Sequence, residues 1–462
     1  MLSKYIGNRS FYKTVFNLAV PIMIQNAITN FVSMLDNIMV GREGTNAFSG
    51  VGIANQLIFV FTVLMIGVGA GASIFGAQFF GKGDIEGIRY SFRFKIIVGV
   101  VITLISMAIF YFFGNPLIRL YLRSENNSSQ DIAEILKSGK EYLNIMLIGL
   151  IPYSISQAYA GTLRECNRTV LPMSAGMIAV FVNLIFNYFL IFGKCGFPRL
   201  SVNGAAIATV ISRFSEMAVL IIATRVTAQK SRFIIGAWRS MKIPSKLLGE
   251  MYKKGIPLMI NEVMWAAGIA VMNLCYSTRG IDAVAANNIT QTYFNVFSVA
   301  FSAVGISIGL ILGQQLGKGD ISTIKDTCRK LIAFSIMISI VISLVFFVCA
   351  YAIPMLYNTT SAVKITARHL MQICAVLMPL EALAQALYFT LRSGGKTLML
   401  FVFDTVFTWI ISVPAAILLA NFTGLPITYM YAICQGLIII KCIFGYIFVK
   451  KGTWIRNVIS DV

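Results

Sequence analysis

Six ionisable residues fall within long apolar stretches of the sequence and are the first candidates for chemistry. A charge near the centre of a bilayer costs at least about 2.5 to 3.5 kcal/mol, so an ionisable group in a membrane segment indicates a functional site by default. The six residues are Asp36, Arg213, Glu216, Glu262, Glu381 and Asp404.

Asp36 is the most isolated of these acids. The sequence has no basic residue within one helical turn of it, and a buried acid without a counter-ion must either hold a proton or bind a cation. Alternatively, Asp36 lies near the outer end of its helix and reaches solvent. We favour the first interpretation.

Arg213 and Glu216 are three residues apart, which is the spacing of an ion pair within one helix. We therefore predict that they neutralise each other and are structural rather than ligands for a substrate. His369 is the only histidine, and we expect it at the membrane interface rather than in a proton relay.

The composition shows which elements must position these groups. Hydrophobic residues make up 57% of the 462 residues and charged residues only 12%, with a mean hydropathy of +0.79. The apolar residues form about a dozen blocks, each long enough to cross a bilayer as a helix. We predict an all-α membrane protein with twelve helices, near residues 15–41, 47–78, 91–113, 137–162, 172–193, 203–225, 253–278, 283–316, 330–352, 366–391, 398–420 and 425–449.

The net charge of +20 does not require a nucleic-acid partner in a chain of this kind. Basic residues of membrane proteins collect in the cytoplasmic loops, and here most of them fall in the joints on one side of the predicted helices. This pattern places both termini in the cytoplasm. We expect a multi-pass protein of the cell membrane, inserted in the lipid bilayer.

The sequence repeats itself. One constant shift aligns Pro21 with Pro257 and the segment Gln78–Ile85 with Gln314–Ile321. Each half then holds six helices, so the halves have the same topology and follow the parallel-repeat plan of transporters. The predicted divisions are an N-terminal lobe (1–225), a cytoplasmic linker (226–252) and a C-terminal lobe (253–462).

The chain resembles the multidrug and toxic compound extrusion (MATE) family of secondary transporters over essentially its whole length. Single motifs carry little weight, but their order along a duplicated twelve-helix chain is specific. The matching features are Pro21 with Asp36–Gly41, the GKGD joints after the second and eighth helices, the Leu-Arg joints at Arg164 and Arg392, Asn183–Asn187, and Gly204–Arg213.

The resemblance implies a cation site in the first lobe that combines Asp36 with Asn183, Asn187 and Thr209. Asn183 and Asn187 are spaced i, i+4 and project from one face of the fifth helix. Their amide oxygens and the carboxylate would suit Na+, or would surround a protonated acid. Some relatives carry a second Asp at the position of Asn187, so the coupling ion stays open. Hydrogen bonding between packed helices is the alternative role of the two amides.

The resemblance also implies a second ion site, in the C-terminal lobe. Acids on the seventh and tenth helices coordinate the cation in one branch of the family, and Glu262 and Glu381 match them. Asp404 is a third candidate with a weaker match. We hypothesise that a proton on Asp36 drives the first lobe and that any sodium dependence resides at Glu262 and Glu381.

These residues predict a cation-coupled antiporter, driven by Na+ or H+, that exports small organic compounds through a central cavity open alternately to each side. Together with Lys441, which also falls inside a predicted helix, the six residues give five acids and two bases, which favours a cationic or amphipathic substrate. One alternative is a lipid-linked oligosaccharide flippase of the same superfamily, which needs a basic cavity. Another is an intramembrane enzyme, for which the sequence offers no catalytic motif.

We expect no catalytic residue, no cofactor and no ATP site. The segment ending in Gly81-Lys82-Gly83 nearly forms a phosphate-binding loop, but Gly83 stands where that motif needs Ser or Thr, and a helix precedes it instead of a strand. The substrate, the coupling ion and the lobe that holds the ion are not specified by the sequence. We expect a monomer.

Overall fold

The computed structural model of the chain describes residues 5–41, 45–122 and 129–460, and no β-strand occurs among them. The prediction of an all-α protein is confirmed. The helices are α1 (Arg9–Gly41), α2 (Thr45–Lys82), α3 (Ile85–Arg119), α4 (Ser129–Ile148), α5 (Leu150–Glu165), α6 (Val170–Phe192), α7 (Ser201–Val226), α8 (Ser245–Ser277), α9 (Ile281–Lys318), α10 (Ile321–Ala352), α11 (Ser361–Ser393), α12 (Thr397–Phe401), α13 (Val413–Phe422), α14 (Ile427–Gly436) and α15 (Ile438–Lys451).

Within these ranges, eleven helical segments are long and apolar enough to cross a membrane, and the number is twelve when the bent pair of α4 and α5 is counted as one span. This pair bends by 47° at the break between the two helices. The structure therefore agrees with the predicted count of twelve membrane helices.

Several helices begin earlier than the sequence predicted. α3 begins at Ile85 and α10 at Ile321, whereas the predicted starts were 91 and 330. Hydropathy marks the part of a helix within the lipid core, but basic side chains let a helix continue to the headgroup level. α8 begins at Ser245, inside the stretch predicted as a linker.

The span from Thr397 to Phe422 has an unusual backbone. Between α12 and α13 it contains two π-helical segments, Val402–Val406 and Thr408–Ser412. A π-helical turn is rare and often marks a functional site. Asp404 lies in the first of these segments.

The contacts divide the chain into two compact units. The C-terminal unit holds the chain up to Met23, the segment Ala77–Asp84 and the chain from Glu250 onward; the N-terminal unit holds Ile24–Gly76 and Ile85–Gly249. Each unit has its own buried apolar cluster. The lobe boundaries given by the sequence stay a prediction.

The connection between α7 and α8 is partly packed into the N-terminal unit. Phe233 and Ala237 are buried, and the ring of Phe233 lies 5.3 Å from that of Phe92 on α3. Arg93 Nε donates a hydrogen bond of 2.9 Å to the Ala237 carbonyl oxygen. This part of the connection is thus fixed to α3.

The two copies of the repeated GKGD motif meet within the C-terminal unit. A Cβ atom on Gly81 would overlap the carbonyl oxygen of Gln314, and a Cβ atom on Gly317 would overlap the carbonyl oxygen of Gln78. The backbones of α2 and α9 therefore touch at these glycines, which requires residues without a side chain.

Candidate functional site

The structure brings the four predicted residues of the first site together in the N-terminal unit. Asn187 Nδ2 donates to Asp36 Oδ1 at 2.5 Å and to Asn183 Oδ1 at 3.0 Å, and Asn183 Nδ2 donates to Thr209 Oγ1 at 3.3 Å. Asn187 is fully buried and Asn183 nearly so. The four side chains form one continuous hydrogen-bonded chain, which we call the Asp36 cluster.

Local sequence explains why these side chains meet. Asn183 and Asn187 lie on one face of α6, as the i, i+4 spacing requires. A Cβ atom on Gly204 would lie 2.6 Å from the carbonyl oxygen of Leu190, so α6 and α7 approach closely there. This close packing brings Thr209 within reach of Asn183.

The Asp36 cluster has unused hydrogen-bonding capacity. The buried Asn187 Oδ1 atom has no hydrogen-bond partner among the described residues. It faces a cluster whose single carboxylate belongs to Asp36. Such a group of one carboxylate and neutral oxygens can hold Na+ or stabilise a protonated acid. Both roles of these residues stay predictions.

A second polar cluster forms in the C-terminal unit, around Asp404. Lys441 Nζ lies 2.6 Å from Asp404 Oδ1, and Asn261 Nδ2 donates to Asp404 Oδ2 at 2.9 Å. Thr405 Oγ1 donates to Asn261 Oδ1 at 2.7 Å. We call these four residues the Asp404 cluster.

Glu262 and Glu381 lie close to the Asp404 cluster but do not form one site with it through hydrogen bonds. Glu262 Oε1 accepts a hydrogen bond of 2.9 Å from Tyr388 Oη. Lys441 and Asp404 are the charged groups that act on Glu381. Within the described ranges, no three His, Cys, Asp or Glu side chains are grouped closely enough to hold a metal ion.

Sequence reasoning missed four members of this region: Lys441, Asn261, Thr405 and Tyr388. Lys441 was recognised as lying inside a helix but had no assigned partner. Asn261 precedes Glu262, yet an uncharged amide gave no signal by itself. Tyr388 lies seven residues after Glu381, which is two helical turns, and this spacing could have indicated that it shares a face with that acid.

Arg213 and Glu216 interact electrostatically, so their mutual neutralisation stays a prediction. Among the described residues no ion pair within 4.0 Å joins them. The Arg213 guanidinium lies instead 5.1 Å from the ring centroid of Tyr153, and its side chain packs over Gly149. Glycine at the break between α4 and α5 leaves space for this conformation.

His369 is exposed in the early part of α11.

The N-terminal unit also contains a buried ion pair that the sequence analysis did not identify. Lys95 Nζ lies 2.5 Å from Glu165 Oε1 and 3.2 Å from Thr162 Oγ1. The side chains of Lys95 and Glu165 are 3% and 1% exposed. Lys95 lies within the predicted helix near residues 91–113 but is not among the candidate residues of the sequence analysis.

Comparison with known proteins identifies the family. The family model MatE matches residues 21–189 and 257–418. The probable multidrug resistance protein NorM of Thermotoga maritima is 25% identical over 97% of this chain and 94% of its own length. The probable multidrug resistance protein YoeA of Bacillus subtilis is 24% identical over 96% and 95%.

Solved structures share the fold. A crystal structure of a mutant of the Vibrio cholerae MATE transporter VcmN superposes with a TM-score of 0.84 at 20% identity, covering 97% of this chain and 98% of that one. A transporter of the MOP superfamily from Pyrococcus furiosus, described as having a binding pocket of reverse polarity, gives 0.81 at 18% identity, with the same coverage. The chain belongs to the multidrug and toxic compound extrusion family of membrane transporters.

Proposed function

We propose that this transporter is a cation-coupled antiporter that exports organic compounds, cationic or amphipathic, by alternating access. The names of the curated relatives, which refer to multidrug resistance, support export of drug-like molecules. We place the protein in the cell membrane with both termini in the cytoplasm. It acts as a monomer, without ATP, a cofactor or nucleic acid.

The observation that carries this proposal is the environment of Asp36. Its bonded partner is the amide of Asn187, and in the described part of the chain no basic side chain forms an ion pair with it. A carboxylate among amides and apolar side chains is strongly disfavoured unless a cation or a proton neutralises it. This is the property that a coupling residue needs.

We infer that a proton is the coupling ion at Asp36, because Asn187 can bond the acid in both of its protonation states. In the charged form, Asp36 accepts the hydrogen bond of Asn187 Nδ2. In the protonated form, its hydroxyl can donate to Asn187 Oδ1, the buried acceptor that has no partner. The same amide can therefore serve both protonation states, because it has a donor and an acceptor.

Coupling requires that the proton and the substrate bind the two conformations with different affinities. A ligand shifts a conformational equilibrium only by its differential affinity for the two states. If protonated Asp36 favours one conformation and bound substrate favours the other, exchange of the two drives export. Sodium remains the alternative coupling ion, at the Asp36 cluster or at Glu262 and Glu381.

Proteoliposomes with separately imposed proton and sodium gradients test this proposal. We expect a proton gradient to drive transport of a fluorescent organic cation, and Asp36→Asn to reduce that transport at least tenfold. Asp282→Asn is the matched control, because Asp282 is an exposed acid in the first turn of α9. Wild-type rates in Asp36→Asn at equal reconstitution would exclude Asp36 as the coupling residue.

One observation favours a second candidate function, the lipid-linked oligosaccharide flippase. The N-terminal unit holds two buried guanidinium groups, those of Arg164 and Arg213, which both interact electrostatically with Glu216. Arg164 Nε and Arg213 Nη1 are buried without a hydrogen-bond partner among the described residues, and such nitrogens could bind a phosphate. Translocation of a fluorescent lipid diphosphate, without transport of the organic cation, would support the flippase.

A further inference from the structure

Lys441 is a basic residue in an apolar part of α15, between Ile440 and Cys442. Its ammonium lies 2.6 Å from Asp404 Oδ1, and the side chain is 17% exposed. It also lies 5.2 Å from the ring centroid of Phe403. The ammonium therefore occupies the position beside the Asp404 carboxylate that a bound monovalent cation would take.

The surroundings of this ammonium are those of a cation site. The carboxylate of Asp404 is 8% exposed, and its second oxygen accepts from Asn261. The Asn261 oxygen accepts from Thr405, so the group of the Asp404 cluster that meets the ammonium is the carboxylate. Carboxylate oxygens are ligands that hard cations prefer.

The charged groups that surround Asp404 come from α8, α11 and α15. α8 contributes Glu262, α11 contributes Glu381 and Arg392, and α15 contributes Lys441. Lys441 interacts electrostatically with both Asp404 and Glu381. Glu262 interacts electrostatically with Arg392 and accepts a hydrogen bond from Tyr388. The negative charge of the Asp404 cluster is thus already balanced by the protein itself.

The backbone at Asp404 supports the same arrangement. In the π-helical segment Val402–Val406, each backbone hydrogen bond encloses one more residue than in an α-helix. The extra residue rotates the directions of the side chains that follow. Asp404 lies in the middle of this segment. An uncommon backbone at the residue that bonds Lys441 indicates that the direction of this carboxylate matters.

We propose that Lys441 is a tethered cation, which fills the cation position at Asp404 and so prevents sodium from binding there. This inference rests on the proposed function, because it assumes that the region is a coupling site. It assigns a proton, rather than sodium, as the ion available to the acids of the C-terminal unit. Lys441 is then a residue that determines ion specificity.

Thermal unfolding of the purified protein in detergent, with sodium chloride or choline chloride at equal ionic strength, tests this proposal. The wild type should show no sodium-specific rise of the unfolding midpoint. Lys441→Met should show one of a few degrees that saturates with sodium, since a ligand stabilises only the state that binds it. Lys441→Arg, which keeps the charge, should show none.

Two further variants make the result specific. Lys450→Met is the matched control, because Lys450 is exposed in the last turn of the same helix, and it should behave as wild type. The double variant Lys441→Met, Asp404→Asn removes both charges and should fold without any response to sodium.

Three results would overturn the proposal. The first is a sodium-specific rise in the wild type that Asp404→Asn removes. The second is folded Lys441→Met without a sodium response. The third is a Lys441→Met protein that is unfolded at every sodium concentration while Lys441→Met, Asp404→Asn is folded. Lys441 would then be a structural partner of Asp404 that sodium cannot replace. None of these readouts needs transport, so failure of the proposed antiport is seen separately, in the proteoliposomes.

Discussion

The buried pair of Lys95 and Glu165 predicts a large and specific loss of stability when one partner is removed. Lys95→Met keeps most of the side-chain volume but leaves the Glu165 carboxylate, 1% exposed, without its cation. Removing one partner of a buried ion pair costs about 3 to 5 kcal/mol, because an uncompensated charge stays in a medium of low polarity. We expect a loss of this size in the free energy of unfolding.

The double variant Lys95→Met, Glu165→Gln separates the charge from the packing. Replacing both ions by neutral side chains of similar volume is often nearly neutral for stability, so most of the loss should be regained. Lys330→Met is the matched control, since Lys330 forms an i, i+4 pair with Asp326, whose side chain is 49% exposed. Exposed helical pairs contribute only about 0.3 to 0.5 kcal/mol.

The assay is titration with dodecyl sulphate in mixed micelles, followed by circular dichroism, on all four proteins in parallel. The reasoning is refuted if Lys95→Met costs no more than Lys330→Met. It is equally refuted if the double variant is as unstable as the single one, because the loss would then come from packing and not from an unpaired charge.

Two other predictions concern the helix crossing and the topology. Gly317→Ala should cost about 1 to 3 kcal/mol of stability, as overpacked sites do, because its Cβ atom would overlap the Gln78 carbonyl. Gly249→Ala, with open space around it, should cost nothing. Equal unfolding midpoints of the two variants would contradict this prediction. In a cysteine-free background, a cysteine at Ser245 should react with an impermeant maleimide only from the cytoplasm. A cysteine at Ser361 should react only from outside. Reaction of both cysteines from the same face would disprove the orientation.

The helix count could be predicted from local patterns, and the Asp36 cluster from a local pattern together with the resemblance to the family. Apolar blocks of membrane length specify spans without any knowledge of their neighbours. The i, i+4 spacing places Asn183 and Asn187 on one face, and the resemblance to the family adds Asp36 and Thr209. The structure then joins these four side chains by hydrogen bonds.

The ion pairs could not be predicted because their partners are far apart in the sequence. Asp404 and Lys441 lie on different spans, and so do Lys95 and Glu165. The sequence shows a charge but not which distant charge faces it. Arg213 shows the converse case: its spacing to Glu216 gives no direct contact within 4.0 Å in the described residues, and its guanidinium lies over Tyr153 in the space that Gly149 leaves.

The contact between the two GKGD motifs is pseudo-symmetric. Gly81 and Gly317 are equivalent positions of the repeat, and so are Gln78 and Gln314. The glycine of each copy meets the glutamine of the other. Such reciprocal contact, in which residue i meets residue j and residue j meets residue i, is the signature of an interface between two identical subunits. The same two positions thus form both halves of the contact, so a change at either position of the motif alters one half of a pseudo-symmetric pair.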